Sequence, residues 1–92
     1  MKRDYDGLLK SGNKAQLEKL KENENKCGFD KVDIFYATQR IADEQFELAV
    51  EVNNQMKNEK ERLKSIRSEA ADVANFAHMI IYRCDKELEN LE

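Results

Sequence analysis

The feature that most constrains this chain is its shortage of turn-forming residues: it has no proline and only three glycines in 92 residues. Glycine and proline are the residues that most often punctuate turns. A chain so poor in both cannot form many tight turns, which excludes a β-sandwich or barrel made of many short strands. Apolar residues are 40% of the chain, and their regular spacing allows burial and argues against disorder. The sequence therefore predicts an all-α protein with a few long helices.

Residues 1–92 are predicted to form a single domain. Its N-terminal part contains turn signals at Gly7 and Gly12. These signals predict a non-helical segment over residues 1–13. Asn13 is followed three residues later by glutamine, which is the spacing of a capping box. A first helix is therefore predicted over residues 14–26.

Two longer helices are predicted to follow. Gly28 can end the first helix, and Asp30 can cap a second helix over residues 31–56. A third helix is predicted over residues 60–90. The connection is placed between them, around an asparagine that tolerates turn geometry.

The predicted second helix carries two apolar stripes side by side. The first stripe consists of Ile34, Thr38, Ile41, Gln45, Leu48 and Val52, and the second stripe consists of Phe35, Ala42, Phe46, Ala49 and Met56. A helix that is apolar on two faces is buried on two sides, which is more than one neighbouring helix supplies. We therefore expect an antiparallel helical hairpin with a short N-terminal helix, assembling with at least one other copy into an oligomeric helical bundle.

Charge and cysteine content limit the possible partners. Sixteen Lys and Arg oppose nineteen Asp and Glu, for a net charge of −3, and no basic run is long enough to track a nucleic-acid backbone. The longest mostly apolar stretch, residues 76–82, is too short for a membrane span, and no secretory signal is expected at the N-terminus. Cys27, Cys84 and the single His78 form no zinc pattern. These features predict a cytoplasmic protein with reduced thiols and no nucleic-acid or membrane partner.

Two pairs of acidic residues have matching positions on the predicted hairpin. Glu44 and Glu47 lie 14 and 11 residues before Asn58, while Glu69 and Asp72 lie 11 and 14 residues after it. At 1.5 Å per residue the two pairs stand at the same height, about 16 to 21 Å from the turn. Residues three apart share one helix face, so each pair points in one direction.

Both acidic pairs border the apolar stripes rather than the outer face of the hairpin. Four negative charges beside a core are costly unless a positive group neutralises them. A hard divalent cation with oxygen ligands, such as Mg²⁺, would do so. The alternative is that these acids are solvated or paired with Arg40, Arg67 or Lys64.

These residues resemble the MazG-like nucleotide pyrophosphohydrolases. The family signature is ExxE followed by ExxD, which residues 44–47 and 69–72 match. Residues 19–29 are similar to the lead-in of short, phage-type members, and the stretch EAADVANFAHMI over residues 69–80 is the closest match. The resemblance covers roughly residues 17–81.

The resemblance implies an all-α hydrolase that acts as a dimer or tetramer. Such enzymes hydrolyse nucleoside triphosphates, NTP or dNTP, between the α and β phosphorus and release a monophosphate and pyrophosphate. The implied cofactor is Mg²⁺, with Mn²⁺ as a possible substitute. The implied metal ligands are Glu44, Glu47, Glu69 and Asp72.

The resemblance also assigns roles to single residues. One glutamate of the ExxE pair, Glu44 or Glu47, is implied to orient the attacking water, and Glu44 is favoured as this catalytic residue. Lys26 and Asn75 match positions that could contact the phosphates or the sugar of the substrate. The structural alternatives are a solvated helix end for Lys26 and a polar residue on the packing seam for Asn75. Neither the residues nor the resemblance selects the base or the sugar.

Some positions depart from the family pattern, and a different function stays open. Asp43 stands where many relatives have glutamate, and Cys27 and Phe29 replace glycine and tryptophan. The alternative function is a non-catalytic helical oligomer that acts as a protein-interaction module, such as a viral accessory or scaffold protein. A di-iron carboxylate bundle is disfavoured because it needs Glu-x-x-His pairs, and His78 instead follows Asn75 by three residues.

Overall fold

The computed structural model describes residues 3–23 and 32–92, which form three α-helices. Helix α1 spans Tyr5–Glu22, α2 spans Ile34–Val52 and α3 spans Glu59–Leu91. Within these two ranges there is no β-strand. The prediction of an all-α chain is therefore confirmed.

Each helix begins after a side chain that accepts a hydrogen bond from a backbone N–H three residues later. Such caps satisfy one of the first N–H groups of a helix, which have no partner within the helix itself. The caps are Asp4 with Gly7 at 2.9 Å, Asp33 with Tyr36 at 2.7 Å, and Asn58 with Glu61 at 2.9 Å.

The predicted non-helical segment over residues 1–13 is wrong from Tyr5 onward, because α1 already begins there. The Asp4 cap starts the helix, and a glycine inside a helix costs only about 1 kcal/mol relative to alanine. Gly7 fits this cap because a side chain there would meet the Asp4 carboxylate. The helix ends at Glu22, while the predicted end at Lys26 and the Gly28 cap lie outside the described residues.

Helix α2 is shorter than predicted at both ends. It begins at Ile34 after the Asp33 cap rather than at Lys31, and Asp30 lies outside the described residues. It ends at Val52 rather than Met56, because the Asn53 side chain donates a hydrogen bond to the Ala49 carbonyl at 2.8 Å. Helix α3 runs to Leu91, against the predicted range of 60–90.

Helix α3 is the central element of the fold, since both other helices pack against it. Arg40 of α2 lies over the Phe76 ring of α3, 5.6 Å from its centroid. Glu47 follows Arg40 along α2 but approaches Glu69, which precedes Phe76 along α3. This order makes α2 and α3 antiparallel. Among the described residues, α1 packs against α3 and makes no packing contact with α2.

The single chain has a small apolar core. Its buried apolar residues are Ala15, Ala37 and Ala71, and no large side chain is fully buried in the described ranges. The second apolar stripe of α2 is uncovered, since Phe35 is 88% exposed and Phe46 is 71% exposed. The radius of gyration is 15.2 Å, against about 12 Å for a compact domain of this length. None of the helices in residues 3–23 and 32–92 is long and apolar enough to cross a membrane.

Candidate metal centre

The antiparallel pairing of α2 and α3 brings three of the predicted site residues together. Glu44, Glu47 and Glu69 each offer a carboxylate oxygen, and these oxygens all lie within 4.8 Å of one another. Glu44 is buried, Glu69 is half-buried and Glu47 is exposed. These three glutamates therefore lie at the edge of the α2–α3 interface, and the group opens to solvent beside Glu47.

Asp72, the fourth predicted ligand, lies at the margin of this cluster and faces α1. Its Oδ2 is 3.6 Å from the Lys19 Nζ. Its negative charge still acts on the cluster, because it helps to raise the pKa of Glu44 and of Glu69. We use the term acidic cluster for all four residues, Glu44, Glu47, Glu69 and Asp72.

Two oxygens of the acidic cluster are buried without a hydrogen-bond partner among the described residues: Oε2 of Glu44 and Oε2 of Glu69. The other oxygen of Glu44 accepts a hydrogen bond from Nη2 of Arg40 at 2.6 Å. A buried polar atom that has lost water and gained no partner destabilises a fold by about 1 to 3 kcal/mol. Such atoms are rare in folded proteins, and a bound ion is one way in which they gain a partner.

The pKa values in the cluster show how poorly it tolerates its own charge. Burial, the adjacent Glu47 carboxyl group and the charges of Glu47 and Asp72 raise the pKa of Glu44 to about 7, although Arg40 opposes them. Burial is also the main cause that raises the pKa of Glu69, followed by the charges of Asp72 and Glu47. Burial raises the pKa of Asp72 as well, despite the opposing Lys19. The cluster is thus suited to hold protons or a cation.

Formal charge supports at least one divalent cation. The four carboxylates carry −4 when ionised, and two cations pair with them in the described chain, Arg40 with Glu44 and Lys19 with Asp72. Each cation also pairs with an acid outside the cluster, Arg40 with Asp43 and Lys19 with Glu22. The sum, −4 + 2, therefore leaves a charge of −2 or more negative. Arg40, one of the predicted alternative partners of the acids, does form an ion pair with the cluster through Glu44. Arg67 instead pairs with Glu18 at 2.8 Å.

Lys19 is the residue near the site that sequence reasoning missed. It belongs to the lead-in that resembles the MazG-like family, but nothing in the sequence alone places α1 against α3 beside Asp72. Burial lowers the pKa of Lys19, yet Asp72 and Glu22 outweigh that effect and raise the pKa overall. The ammonium group is therefore fully charged at neutral pH.

The two predicted substrate-contact residues differ in what the structure describes. Lys26 lies outside the described residues. Asn75 is buried and joins α1 to α3, because it donates to the Gln16 carbonyl at 3.1 Å and accepts from the Gln16 side chain at 3.3 Å. It also lines a cleft of about 250 Å³ together with Leu20, His78, Met79 and Tyr82.

Comparisons of the chain with protein-family models, with curated proteins and with solved structures gave no match. The likeness to the MazG-like family therefore rests on the sequence patterns of residues 17–81.

The raised pKa values predict a pH effect on stability in a chelator such as EDTA. The folded state binds a proton at Glu44 more tightly than the unfolded state does, so the free energy of unfolding falls as pH rises from about 4.5 to about 7. The expected loss is on the order of 1 to 3 kcal/mol. Urea unfolding at several pH values measures it. Glu44→Gln should flatten the slope, whereas Glu51→Gln, on the same helix but paired with Lys57, should keep it.

Proposed function

We propose that the acidic cluster binds Mg²⁺ and that the chain is a nucleoside triphosphate pyrophosphohydrolase, which converts NTP or dNTP to the monophosphate and pyrophosphate. The observation that carries the proposal is a pair of buried oxygens, one on Glu44 and one on Glu69, that have no hydrogen-bond partner in residues 3–23 and 32–92. They lie within a cluster that keeps a net formal charge of −2 or more negative after Arg40 and Lys19 are counted. The ExxE and ExxD patterns support the same conclusion from sequence.

The donor atoms favour a hard cation. All groups of the cluster are carboxylates, the ligand type that suits Mg²⁺ and Mn²⁺, and neither cysteine nor histidine belongs to it. The bound ion would offset charge on the phosphates and help to ionise a water. Glu44, Glu47, Glu69 and Asp72 would hold the ion.

Glu44 is the residue that we propose to orient the attacking water and accept its proton. Without a cation the pKa of Glu44 is raised to about 7. A bound divalent ion would lower that pKa, so the carboxylate would be ionised at neutral pH and able to accept a proton. Its Oε1 accepts a hydrogen bond from Arg40, while its Oε2 has no partner within the described part of the chain and would be available to the water or the ion.

The cleft beside Asn75 offers room for the rest of a nucleotide. Asp72, Asn75, Met79 and Tyr82 follow one another at intervals of three or four residues, so they lie along one face of α3. A substrate whose phosphates lie at Asp72 would therefore extend toward an aromatic and apolar surface. Lys26 is retained as a proposed contact to the phosphates or the sugar.

A second copy of the chain is the proposed partner of the uncovered α2 stripe. The residues of this stripe within α2 are spaced seven, four and three positions apart, as in a helix-packing seam: Phe35, Ala42, Phe46 and Ala49. Two exposed phenylalanines on one seam would be costly in water. The proposed assembly is a dimer or tetramer in which these stripes face each other.

The decisive experiment incubates the purified protein with each common NTP and dNTP plus Mg²⁺ and measures pyrophosphate. In ¹⁸O-labelled water, the label should enter the monophosphate and not the pyrophosphate. Label in free orthophosphate would instead indicate attack at the γ phosphorus. Release of no pyrophosphate from any nucleotide would overturn the proposed activity.

Magnesium is expected to stabilise the fold through the acidic cluster. At a concentration about 100 times its Kd, an ion bound only to the folded state adds about 2.7 kcal/mol. Glu69→Gln should abolish this response in a thermal melt, and in EDTA it should raise the melting temperature by removing like-charge repulsion. Glu69 is the better choice than Asp72, because Asp72 also pairs with Lys19.

The matched control is Glu61→Gln, an exposed residue on the same helix. It should keep the full magnesium response. Equal responses of the wild type and Glu69→Gln would contradict a metal site at the cluster.

A non-catalytic interaction protein is the second candidate function. The exposed apolar stripe of α2 favours it, because such a face could equally receive another protein. An interaction function does not explain the two buried carboxylate oxygens, on Glu44 and Glu69, that lack a hydrogen-bond partner among the residues that the structure describes. Absence of both pyrophosphate release and magnesium stabilisation would make this candidate the better one.

A further inference from the structure

We propose that Lys19 binds the polyphosphate of the substrate, and that it neutralises Asp72 until a cation replaces it there. This inference rests on the proposed function, because it concerns the same acidic cluster. It assigns a ligand contact to α1, the helix that packs only against α3 in the described chain.

The position of Lys19 is the first support. Its Nζ lies 3.6 Å from Asp72 Oδ2 and 3.3 Å from Glu22 Oε2, and its side chain is only 20% exposed. It therefore lies at the margin of the acidic cluster on the side formed by α1. A phosphate bound to an ion in the cluster would come close to this ammonium group.

Charge balance is the second support. With one divalent ion present, the four carboxylates, Arg40 and Lys19 sum to zero, and Glu22 and Asp43 beside the two cations add further negative charge. Each phosphate group then increases the negative charge of the site. An ion that takes Asp72 as a ligand reduces the attraction between Asp72 and Lys19. The Lys19 ammonium group can then form an ion pair with the substrate phosphate.

Lys19 is better suited to this change of partner than Arg40, the other cation at the cluster. Arg40 donates to Glu44 at 2.6 Å and to Asp43 at 3.3 Å, and it lies over the Phe76 ring. These three contacts hold the guanidinium in place. Lysine carries a compact ammonium on a flexible four-carbon chain, and its contacts of 3.3 and 3.6 Å are longer.

The expected effects of Lys19→Met on the two ligands have opposite signs. Magnesium binding should tighten by about two- to fivefold, because the ion no longer competes with the ammonium for Asp72. Binding of magnesium tripolyphosphate, and the KM for a hydrolysed nucleotide, should weaken by about tenfold, the loss of one charge-assisted hydrogen bond. The change in kcat should be smaller than the change in KM.

The test uses titration calorimetry with Mg²⁺ alone, then with tripolyphosphate at saturating Mg²⁺, on the full chain. Lys21→Met is the matched control, since Lys21 is exposed on the same helix and makes no ion pair with any described residue. It should leave both affinities unchanged. Lys19→Arg should restore most of the polyphosphate affinity, and circular dichroism checks that each variant is helical.

The outcomes separate this inference from the proposed function. If Lys19→Met weakens both ligands or changes neither, the inference is overturned, even when the wild type releases pyrophosphate. If the wild type hydrolyses no nucleotide but the two opposite shifts occur, the proposed activity fails and the assignment of Lys19 stands. A wild type that binds neither ligand overturns both.

Discussion

Phe46→Asp is expected to raise the dissociation constant of the proposed self-assembly by at least about 100-fold. Phe46 is 71% exposed in the single chain, so the substitution removes little packing within one copy. In a two-fold interface the change occurs twice. Burial of each phenylalanine contributes about 1.5 to 3 kcal/mol, and every 1.4 kcal/mol is tenfold in affinity.

Sedimentation velocity over a range of protein concentrations measures this effect. Leu91→Asp is the control, because Leu91 is 83% exposed and lies at the end of α3, away from the stripe. It should leave the assembly unchanged. A wild type that sediments as a folded monomer at micromolar concentration would contradict the proposed interface.

Glu44→Gln is expected to reduce the rate of pyrophosphate release by at least about 100-fold, the lower range for loss of a general acid–base group. Glutamine keeps the size of the side chain and can still accept a hydrogen bond from Arg40, but it cannot take a proton from water. Substrate binding should survive in part, because the other three carboxylates are intact.

Glu51→Gln is the matched control for activity, since Glu51 lies seven residues further along α2 and pairs with Lys57 instead of the cluster. It should retain the wild-type rate. A Glu44→Gln variant as active as Glu51→Gln would remove Glu44 from the catalytic role. Initial rates at saturating Mg²⁺ and nucleotide decide between these outcomes.

The proximity of the two acidic pairs could be predicted from sequence, although the predicted connection was wrong. Glu47 and Glu69 are equally distant from Asn58 and do come together. Yet α2 stops at Val52, and residues 53–58 are not helical. Arg62 donates to the Val52 carbonyl at 2.6 Å, which places the end of α2 beside the start of α3. The non-helical residues thus preserve the register that a longer helix was predicted to give.

The arrangement around α1 could not be predicted, because it depends on contacts between residues far apart in sequence. Gln16 and Asn75 hydrogen-bond across 59 positions, and Lys19 meets Asp72 across a similar gap. No local pattern encodes such pairs. The prediction of a non-helical segment over residues 1–13 was wrong because it relied on the two glycines as turn signals, whereas the Asp4 cap begins a helix there.

Because α1 packs only against α3 among the described residues, the stability of the N-terminal helix is coupled to the charge of the acidic cluster. The attachment includes the buried Ala15 and Ala71 and the hydrogen bonds between Gln16 and Asn75, and one of its ion pairs, Lys19 with Asp72, involves a cluster residue. Any proton or cation that changes the charge of Asp72 therefore changes how firmly α1 is held. By linkage the converse is also true, so whatever loosens α1 alters the affinity of the cluster for its cation.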